Sequence, residues 1–160
     1  MSAIEQKIRT NLWFDTEAEQ AAEFYCGIFP DSRVVTKQHY TEVGPGEPGT
    51  VVTVEFELAG QSFVGINGGP MFTFNEAISL EIVCADQQEV DHYWTRLGEG
   101  GSYVQCGWLK DRYGLSWQVV PQRLNELLAT GDEATTNQVM KAMLDMVKLD
   151  VAELEAAARG

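Results

Sequence analysis

The sequence is poor in basic residues, and this shortage bears on its partners. It has 11 Lys and Arg against 24 Asp and Glu, which gives a formal net charge of -13 at pH 7. Phosphate backbones are bound by basic faces that release counterions, so we expect no nucleic-acid partner. The same charge disfavours binding to anionic membrane surfaces.

Cysteine and long apolar runs are also scarce. The 3 cysteines, Cys26, Cys84 and Cys106, are far apart and form no CxxC pair. A disulfide framework or a zinc site is therefore not expected, and reduced thiols favour a cytoplasmic location. No apolar run approaches the roughly 18 residues of a membrane-spanning helix. Residues 1–10 carry charges and no apolar segment, so we expect no signal peptide.

The sequence does contain enough apolar material for one sizeable core. Hydrophobic residues make up 44% of the chain and aromatic residues 10%. This composition excludes a disordered chain, and the length of 160 residues is typical of a single domain.

Two stretches of the chain repeat the same order of predicted elements. A strand over 8–14 precedes a helix over 17–29, and a strand over 77–84 precedes a helix from Asp86 to about Gly98. Shorter strands follow each helix. They cover 33–40, 50–58 and 61–67 in the first stretch, and 102–106, 108–109 and 115–120 in the second. Two such units in tandem predict the α+β class.

The tail over 122–158 is predicted to be helical. Its apolar stripe should pack against the sheets or against a second subunit, and consists of Val139, Met143, Met146 and Val147. At four places an N-cap residue, Thr or Asp, is followed three residues later by Glu or Gln, which is the spacing of a helix capping box. These are Thr16 with Glu19, Asp86 with Glu89, Thr135 with Gln138, and Asp150 with Glu153.

Strand alternation divides each predicted sheet into a helix-facing side and an open side. We assign to the helix-facing side Ile8, Leu12, Phe14, Val52, Val54, Phe56, Leu58, Val64, Ile66, Ile78, Leu80, Ile82 and Cys84. The open side is predicted to carry Arg9, Asn11, Trp13, Phe63, Gly65, Asn67, Ser79, Glu81 and Gln118. Aromatic rings, amides, a hydroxyl and a few charges on one surface are typical of a binding pocket.

Several segments resemble a known family. They are NLWFD at 11–15, AEFY at 22–25, NGGP at 67–70, QCGWLKD at 105–111 and YGLSWQVVP at 113–121. Together they resemble the PhnB-like branch of the glyoxalase/bleomycin-resistance/dioxygenase (vicinal oxygen chelate) superfamily, over nearly the whole chain. The resemblance implies one domain over 1–160 that forms a homodimer. It would consist of two βαβββ modules, at about 4–70 and 76–121, that form a cupped half-barrel, followed by the helical tail.

Metal-binding members of that superfamily use four His/Glu-type ligands on the first and last strands of the two modules. The corresponding positions here are Thr10 or Asn11, Gly65 or Ile66, Ser79 or Leu80, and Trp117 or Gln118. None of them is His, Asp, Glu or Cys, so we predict neither a metal site nor a cofactor.

Members of the branch are often described as demethylubiquinone methyltransferases. A nucleotide-type methyl donor usually needs a Gly-rich turn between a strand and a helix. Here Gly68-Gly69-Pro70 leads into a Phe-containing loop instead. The residues therefore give methyl transfer no support.

The leading hypothesis is a metal-independent protein that binds a small molecule on the open side. The predicted ligand-binding residues are Asn11, Trp13, Asn67, Ser79, Trp108 and Gln118. As an alternative, Glu81 would act as the catalytic base of a lyase, isomerase or dioxygenase-like enzyme if it is desolvated. Glu81 could equally be solvated or paired with Arg9, and the tryptophans could be core residues. A third hypothesis is a structural or interaction protein whose tail joins partners.

Overall fold

The computed structural model describes residues 6–160, which form two compact units divided between Thr73 and Phe74. In the first unit the elements are β1 (Thr10–Phe14), α1 (Ala18–Cys26), β2 (Arg33–His39), β3 (Val51–Leu58) and β4 (Gln61–Asn67). In the second they are β5 (Ser79–Cys84), α2 (Gln87–Gly98), β6 (Ser102–Tyr103), β7 (Trp108–Lys110), β8 (Ser116–Pro121), α3 (Gln122–Thr130), α4 (Glu133–Leu144) and α5 (Val151–Arg159). The predicted start of the first module, at about residue 4, lies outside the described residues.

Each unit contains one four-stranded mixed sheet, and the two sheets have equivalent strand orders. The first is ordered β1-β4-β3-β2 and the second β5-β8-β7-β6. In both, the first and last strands of the βαβββ repeat pair in parallel, and the other neighbours are antiparallel. The repeated order confirms the predicted α+β class.

The core of the first unit is an aromatic stack between α1 and the sheet. Tyr25 of α1 stacks on Phe56 of β3 with ring centroids 6.3 Å apart, and Phe56 stacks on Phe63 of β4 at 5.6 Å. The helix comes close because small residues line the contact. A Cβ added at Gly65 would lie 3.2 Å from the Cβ of Ala18, which is fully buried.

These contacts correct the predicted orientation of β4. Phe63, Gly65 and Asn67 were expected on the open side, but they lie on the helix-facing side. Val64 and Ile66, expected on the helix-facing side, therefore alternate to the opposite face. Ile8, expected to be packed, precedes β1 and is 84% exposed. The Ala59-Gly60 turn sets the register, in which Phe56 is directly opposite Phe63. Because directly opposed residues share a face, the helix-facing position of Phe56 determines that of Phe63.

In the second unit α2 packs against β5, β7 and β8. Its buried side chains are Val90, Tyr93, Trp94 and Leu97, and the sheet contributes Cys84, Leu109, Trp117 and Val119. Ile78 was expected on this side but lies before β5 and is 70% exposed. The strand therefore begins two residues later than we predicted, at Ser79.

Two of the four predicted helix caps are confirmed. Asp86 accepts a hydrogen bond from the Glu89 amide, and Asp150 accepts one from the Glu153 amide, both at 2.9 Å. The cap predicted at Thr16 is wrong, because α1 begins at Ala18, whose amide donates to the Asn67 side chain. The cap predicted at Thr135 is also wrong. Asp132 is the N-cap there, and its carboxylate accepts from the Thr135 amide at 2.8 Å.

The tail helices close a second core within the second unit. It consists of Val120, Leu124, Leu127, Val139, Met146, Leu149 and Leu154. Of the predicted stripe, Val139 and Met146 are buried and Val147 is 48% exposed. The stripe therefore packs largely within its own unit rather than requiring a second subunit. No helix in residues 6–160 has the length and apolar character to cross a membrane.

Candidate functional site

The open side of the second sheet carries an ordered set of polar side chains. In the strand register, Ser79 of β5, Ser116 of β8 and Lys110 of β7 lie opposite one another and form a first row. Glu81, Gln118 and Trp108 form a second row in the same way. The strands thus bring four predicted site residues, Ser79, Glu81, Trp108 and Gln118, to one face, as alternation predicted for Ser79, Glu81 and Gln118.

A hydrogen bond fixes the centre of this face. Gln118 Nε2 donates to Ser79 Oγ at 2.8 Å, and both side chains are half-buried. Because the amide nitrogen faces Ser79, Gln118 Oε1 is left as an acceptor. The pair is therefore oriented before any ligand arrives.

Ser116 was not among the predicted site residues, although alternation places it on the same face of β8 as Gln118. It is 1% exposed, and its Oγ is the one buried side-chain N or O atom in residues 6–160 without a hydrogen-bond partner. A buried hydroxyl without a partner costs about 1–3 kcal/mol. Its only sequence signal is its position two residues before Gln118, on the same face of β8.

Glu81 is exposed, and within residues 6–160 its carboxylate has neither an ion pair nor a hydrogen bond. Arg9, the partner that the alternative names, contacts Glu55 Oε1 through Nη1 at 2.9 Å within its own unit. Proton abstraction at neutral pH generally requires a desolvated carboxyl. An exposed Glu81 is better suited to accepting hydrogen bonds as a carboxylate.

Trp108 and Lys110 complete the β7 edge of the surface. Trp108 is half-buried, and its indole makes no ring contact or hydrogen bond with the part of the chain that is described. Lys110 is paired with Glu76, and this pairing lowers the pKa of the Glu76 carboxyl. The lysine charge is thus compensated locally, whereas the indole remains available.

The predicted residues of the first unit are arranged differently. Asn11 is exposed, and Trp13 is packed by the turn after β4: its Nε1 donates to the Gly69 carbonyl at 2.9 Å, and its ring meets the edge of Phe72 at 4.9 Å. A Cβ at Gly68 would lie 2.2 Å from the indole, so a glycine is needed there.

Asn67 is not on the open side, contrary to the prediction. Its Oδ1 accepts from the Ala18 amide at 2.8 Å, and its Nδ2 donates to the Val51 carbonyl at 3.1 Å. Its own carbonyl accepts from the Tyr40 hydroxyl at 2.6 Å. The side chain thus joins the start of α1 to β3.

The first unit also contains a cleft of about 810 Å³ that the sequence analysis did not identify. It lies between the start of α1, the end of β2 and the glycine-rich loop 41–50. Several of its polar side chains are already bonded to each other or to the backbone: Lys37 pairs with Glu19 at 2.6 Å, and Tyr40 and Asn67 are bonded as above. The sequence feature that points to this cleft is the run of Gly and Pro residues at 44–49, which indicates a long loop beside it.

The cysteines are all free, and burial raises the pKa of the Cys84 thiol to about 12. Burial also raises the pKa of Cys26. Cys106 has a positive φ of 61° and bonds through its amide to the Met146 carbonyl, which connects it to the tail. These environments favour structural roles for Cys26 and Cys84 rather than nucleophilic ones.

The metal-binding pattern of the superfamily does not fit this chain. The paired end strands β1/β4 and β5/β8 present no His, Asp, Glu or Cys at the four corresponding positions. Across residues 6–160, no group of three or more such side chains is placed to hold a metal ion.

Comparison with known proteins identifies the family. A family model described as 3-demethylubiquinone-9 3-methyltransferase matches residues 6–120. A Bacillus cereus structure described with the same activity, and as a PhnB protein, is 38% identical with a TM-score of 0.67, and the match covers 72% of this chain and 99% of that one. No curated protein matches. The chain belongs to this family, the PhnB-like branch of the glyoxalase/bleomycin-resistance superfamily.

Two more distant structures share the fold alone. Protein PA1353 from Pseudomonas aeruginosa is 15% identical with a TM-score of 0.60, over 73% of this chain and 98% of that one. The fosfomycin resistance protein FosX from Mesorhizobium loti is 16% identical with a TM-score of 0.55, over 79% and 99%. The fold of the superfamily is therefore confirmed.

Proposed function

We propose that this PhnB-like protein binds a small molecule on the open side of its second sheet, without a resident metal ion. The observation that carries the proposal is the second row of that face. There an oriented amide, Gln118, lies between an unpaired carboxylate, Glu81, and an uncommitted indole, Trp108. Few polar groups beside an aromatic surface are typical of ligand sites.

The open side of the first unit is a weaker candidate for the ligand site. On its open side, Arg9 pairs with Glu55 and Arg33 with Glu57. Polar groups that satisfy one another gain less from a ligand, because binding first has to break their bonds. The ligand-binding roles predicted for Asn11 and Trp13 remain proposals for the open side of the first unit, and we give Asn67 a structural role.

Catalytic alternatives have weaker support. A lyase, isomerase or dioxygenase-like reaction would use Glu81, whose exposure does not favour proton abstraction. Methyl transfer, which the family description names, would need a helix start that can hold the donor. Residues 68–78, which follow the Gly-rich turn, contain no helix.

We further propose a homodimer in a cytoplasmic location. The three free cysteines suit a reducing compartment. Light scattering of the eluting protein tests the dimer, and a mass of one chain at micromolar concentration would contradict it. We do not assign the partner surface to Val139 and Met146 of the tail stripe, because both are buried in their own unit.

A thermal-shift screen of small polar and aromatic metabolites tests the binding function. Compounds that stabilise the wild type should lose most of that effect in Gln118→Ala and keep it in Gln20→Ala, which removes an exposed amide from α1. Elemental analysis after dialysis should show no stoichiometric metal. Hits that stabilise Gln118→Ala as well as wild type would place the site elsewhere.

A further inference from the structure

We infer that the ligand of this face carries a planar organic cation, such as an amidinium, a guanidinium or a protonated aminoheterocycle. The inference rests on the proposed function and specifies its ligand class. It follows from the order of side chains in the second row, from their unused hydrogen-bonding groups and from their charge.

The distance between Glu81 and Trp108 in the second row suits one planar ligand group. Glu81, Gln118 and Trp108 lie directly opposite one another on three adjacent strands. Neighbouring strands are about 4.8 Å apart, so the Cα atoms of Glu81 and Trp108 are separated by roughly 9–10 Å across Gln118. Side chains stand nearly perpendicular to a sheet. The carboxylate and the indole therefore lie on either side of Gln118, and we call the surface between them the slot.

The charged group and the oriented carbonyl of this row are both acceptors. One N–H of Gln118 Nε2 is donated to Ser79 Oγ, and Gln118 Oε1 has no partner in the described part of the chain. The Glu81 carboxylate has no partner within residues 6–160. A ligand that satisfies both groups has to present N–H donors in one plane, and amidinium and guanidinium groups do so.

The charges favour a cation over a neutral donor. The lysine in the neighbouring row, Lys110, is paired with Glu76, so Glu81 is the uncompensated charge among the residues of the two rows. The chain as a whole carries -13, which attracts cations to its surface. Trp108 supplies the aromatic face over which a planar cation stacks best.

The neighbouring row shows that this face is not a self-satisfied polar network. Ser116 lies directly between Ser79 and Lys110, yet its buried hydroxyl has no partner. On the first sheet, by contrast, the charged side chains pair across the strands. The unsatisfied groups are thus located beside the slot.

Three compounds of the same shape test the inference: benzamidine, benzamide and benzoate. Each is titrated into ¹⁵N-labelled full-length protein, and shifts are followed at the Trp108 indole, the Gln118 side-chain amide and the Ser79 backbone amide. Benzamidine should bind about fivefold more tightly than benzamide, and benzoate should bind most weakly, because one exposed charge pair and one cation–π contact supply the difference.

Variants separate this site from a general attraction to an acidic protein. Glu81→Gln should reduce the preference for benzamidine over benzamide to within about twofold, because it removes the charge and keeps the shape. Glu42→Gln removes an exposed charge from the loop of the first unit and should leave the preference unchanged. Trp108→Phe should weaken benzamidine binding while retaining an aromatic ring, which limits any effect on folding.

Three outcomes would overturn the inference in distinguishable ways. Equal binding of benzamide or benzoate at Ser79, Trp108 and Gln118 would refute the cationic class and leave the binding function standing. If none of the three compounds shifts these residues, both the ligand class and the proposed location of the site fail. A preference that survives in Glu81→Gln also refutes the class.

Discussion

The two sheets have the same strand order but differ in whether the polar side chains on their open sides are paired with one another. On the open side of the first sheet, two ion pairs involve β3: Arg9, the residue before β1, pairs with Glu55, and Arg33 of β2 pairs with Glu57. On the second sheet the equivalent surface leaves Glu81 unpaired and Ser116 without a partner. Topology thus determines which side chains share a face, and the residue types determine whether that face is complete.

The helix-facing sides differ as well. The first unit packs three stacked aromatic rings under α1, whereas the second buries a polar contact between Trp117 and Asp111. A buried carboxylate requires full hydrogen bonding, and this makes the geometry of the β7–β8 turn specific. The same turn leads into Ser116 and Gln118, so it positions the site.

The largest expected effect concerns the closed side of the second sheet. Burial raises the pKa of Cys84 to about 12, so at pH 8 its thiol stays almost entirely protonated. Because the thiolate is the reactive form, Cys84 should resist a disulfide reagent at pH 8 and react only in urea. Counting reactive thiols before and after unfolding measures this.

Cys84→Ser is the control for that experiment. It should leave the native thiol count unchanged and lower the unfolded count by one.

The raised pKa of Cys84 also affects stability: between pH 9 and 12 the unfolded state releases a proton that the folded state keeps. Stability should therefore fall as pH rises through that range. Rapid native labelling of Cys84 would contradict its placement under α2.

The second prediction tests the buried polar contact. Asp111 is 2% exposed; its Oδ1 accepts from the amides of Tyr113 and Leu115 at 2.8 and 3.1 Å, and its Oδ2 from Trp117 Nε1 at 2.9 Å. Asp111→Ala should lower the free energy of unfolding by about 3–5 kcal/mol, because three donors lose their acceptor.

Asp111→Asn is the matched variant and should cost less, because the amide oxygen can still accept from the two backbone amides. Urea unfolding followed by far-ultraviolet circular dichroism measures both variants. Equal losses for Ala and Asn would show that the carboxylate acts mainly through its charge rather than through this arrangement of donors.

A third prediction separates a structural amide from a ligand-binding one. Asn67→Ala should lower the free energy of unfolding by about 1–2 kcal/mol, because it removes the bonds to Ala18 and Val51, and should leave ligand binding unchanged. Gln118→Ala should show the opposite pattern in urea unfolding and in ligand titration. Lost ligand binding in Asn67→Ala with little loss of stability would restore the original interpretation of Asn67.

The orientation of β4, and with it the position of Asn67, could have been predicted from the hairpin that joins β3 to β4. Residues 62–66 read Ser-Phe-Val-Gly-Ile, which is apolar on both faces, so alternation alone fits either orientation. The turn between β3 and β4 has two residues, and that fixes the pairing of Phe56 with Phe63. Once Phe56 was assigned to the helix, the hairpin determined Phe63, Gly65 and Asn67. This information was local and available.

Other features could not be predicted from local sequence. The start of α1 is capped by Asn67, 49 positions away in the chain, so the nearby Thr16 was a misleading signal. The missing partner of Ser116 depends on the packing around it and not on its neighbours in sequence. By contrast, Asp86 and Asp150 cap helices three residues away, and local spacing predicted them correctly.

The smallest expected effect bears directly on the difference between the two open sides. Arg33 Nε lies 3.1 Å from Glu57 Oε2, but the arginine side chain is 67% exposed. A double-mutant cycle with Arg33→Met and Glu57→Gln should give a coupling of about 0.5 kcal/mol that declines in 1 M salt, because solvent screens exposed pairs. Glu81→Gln has no partner to lose, so its change in stability should be close to zero at either salt concentration. A coupling near zero for the pair, or a clear loss of stability in Glu81→Gln, would remove the distinction between a completed face and an open one.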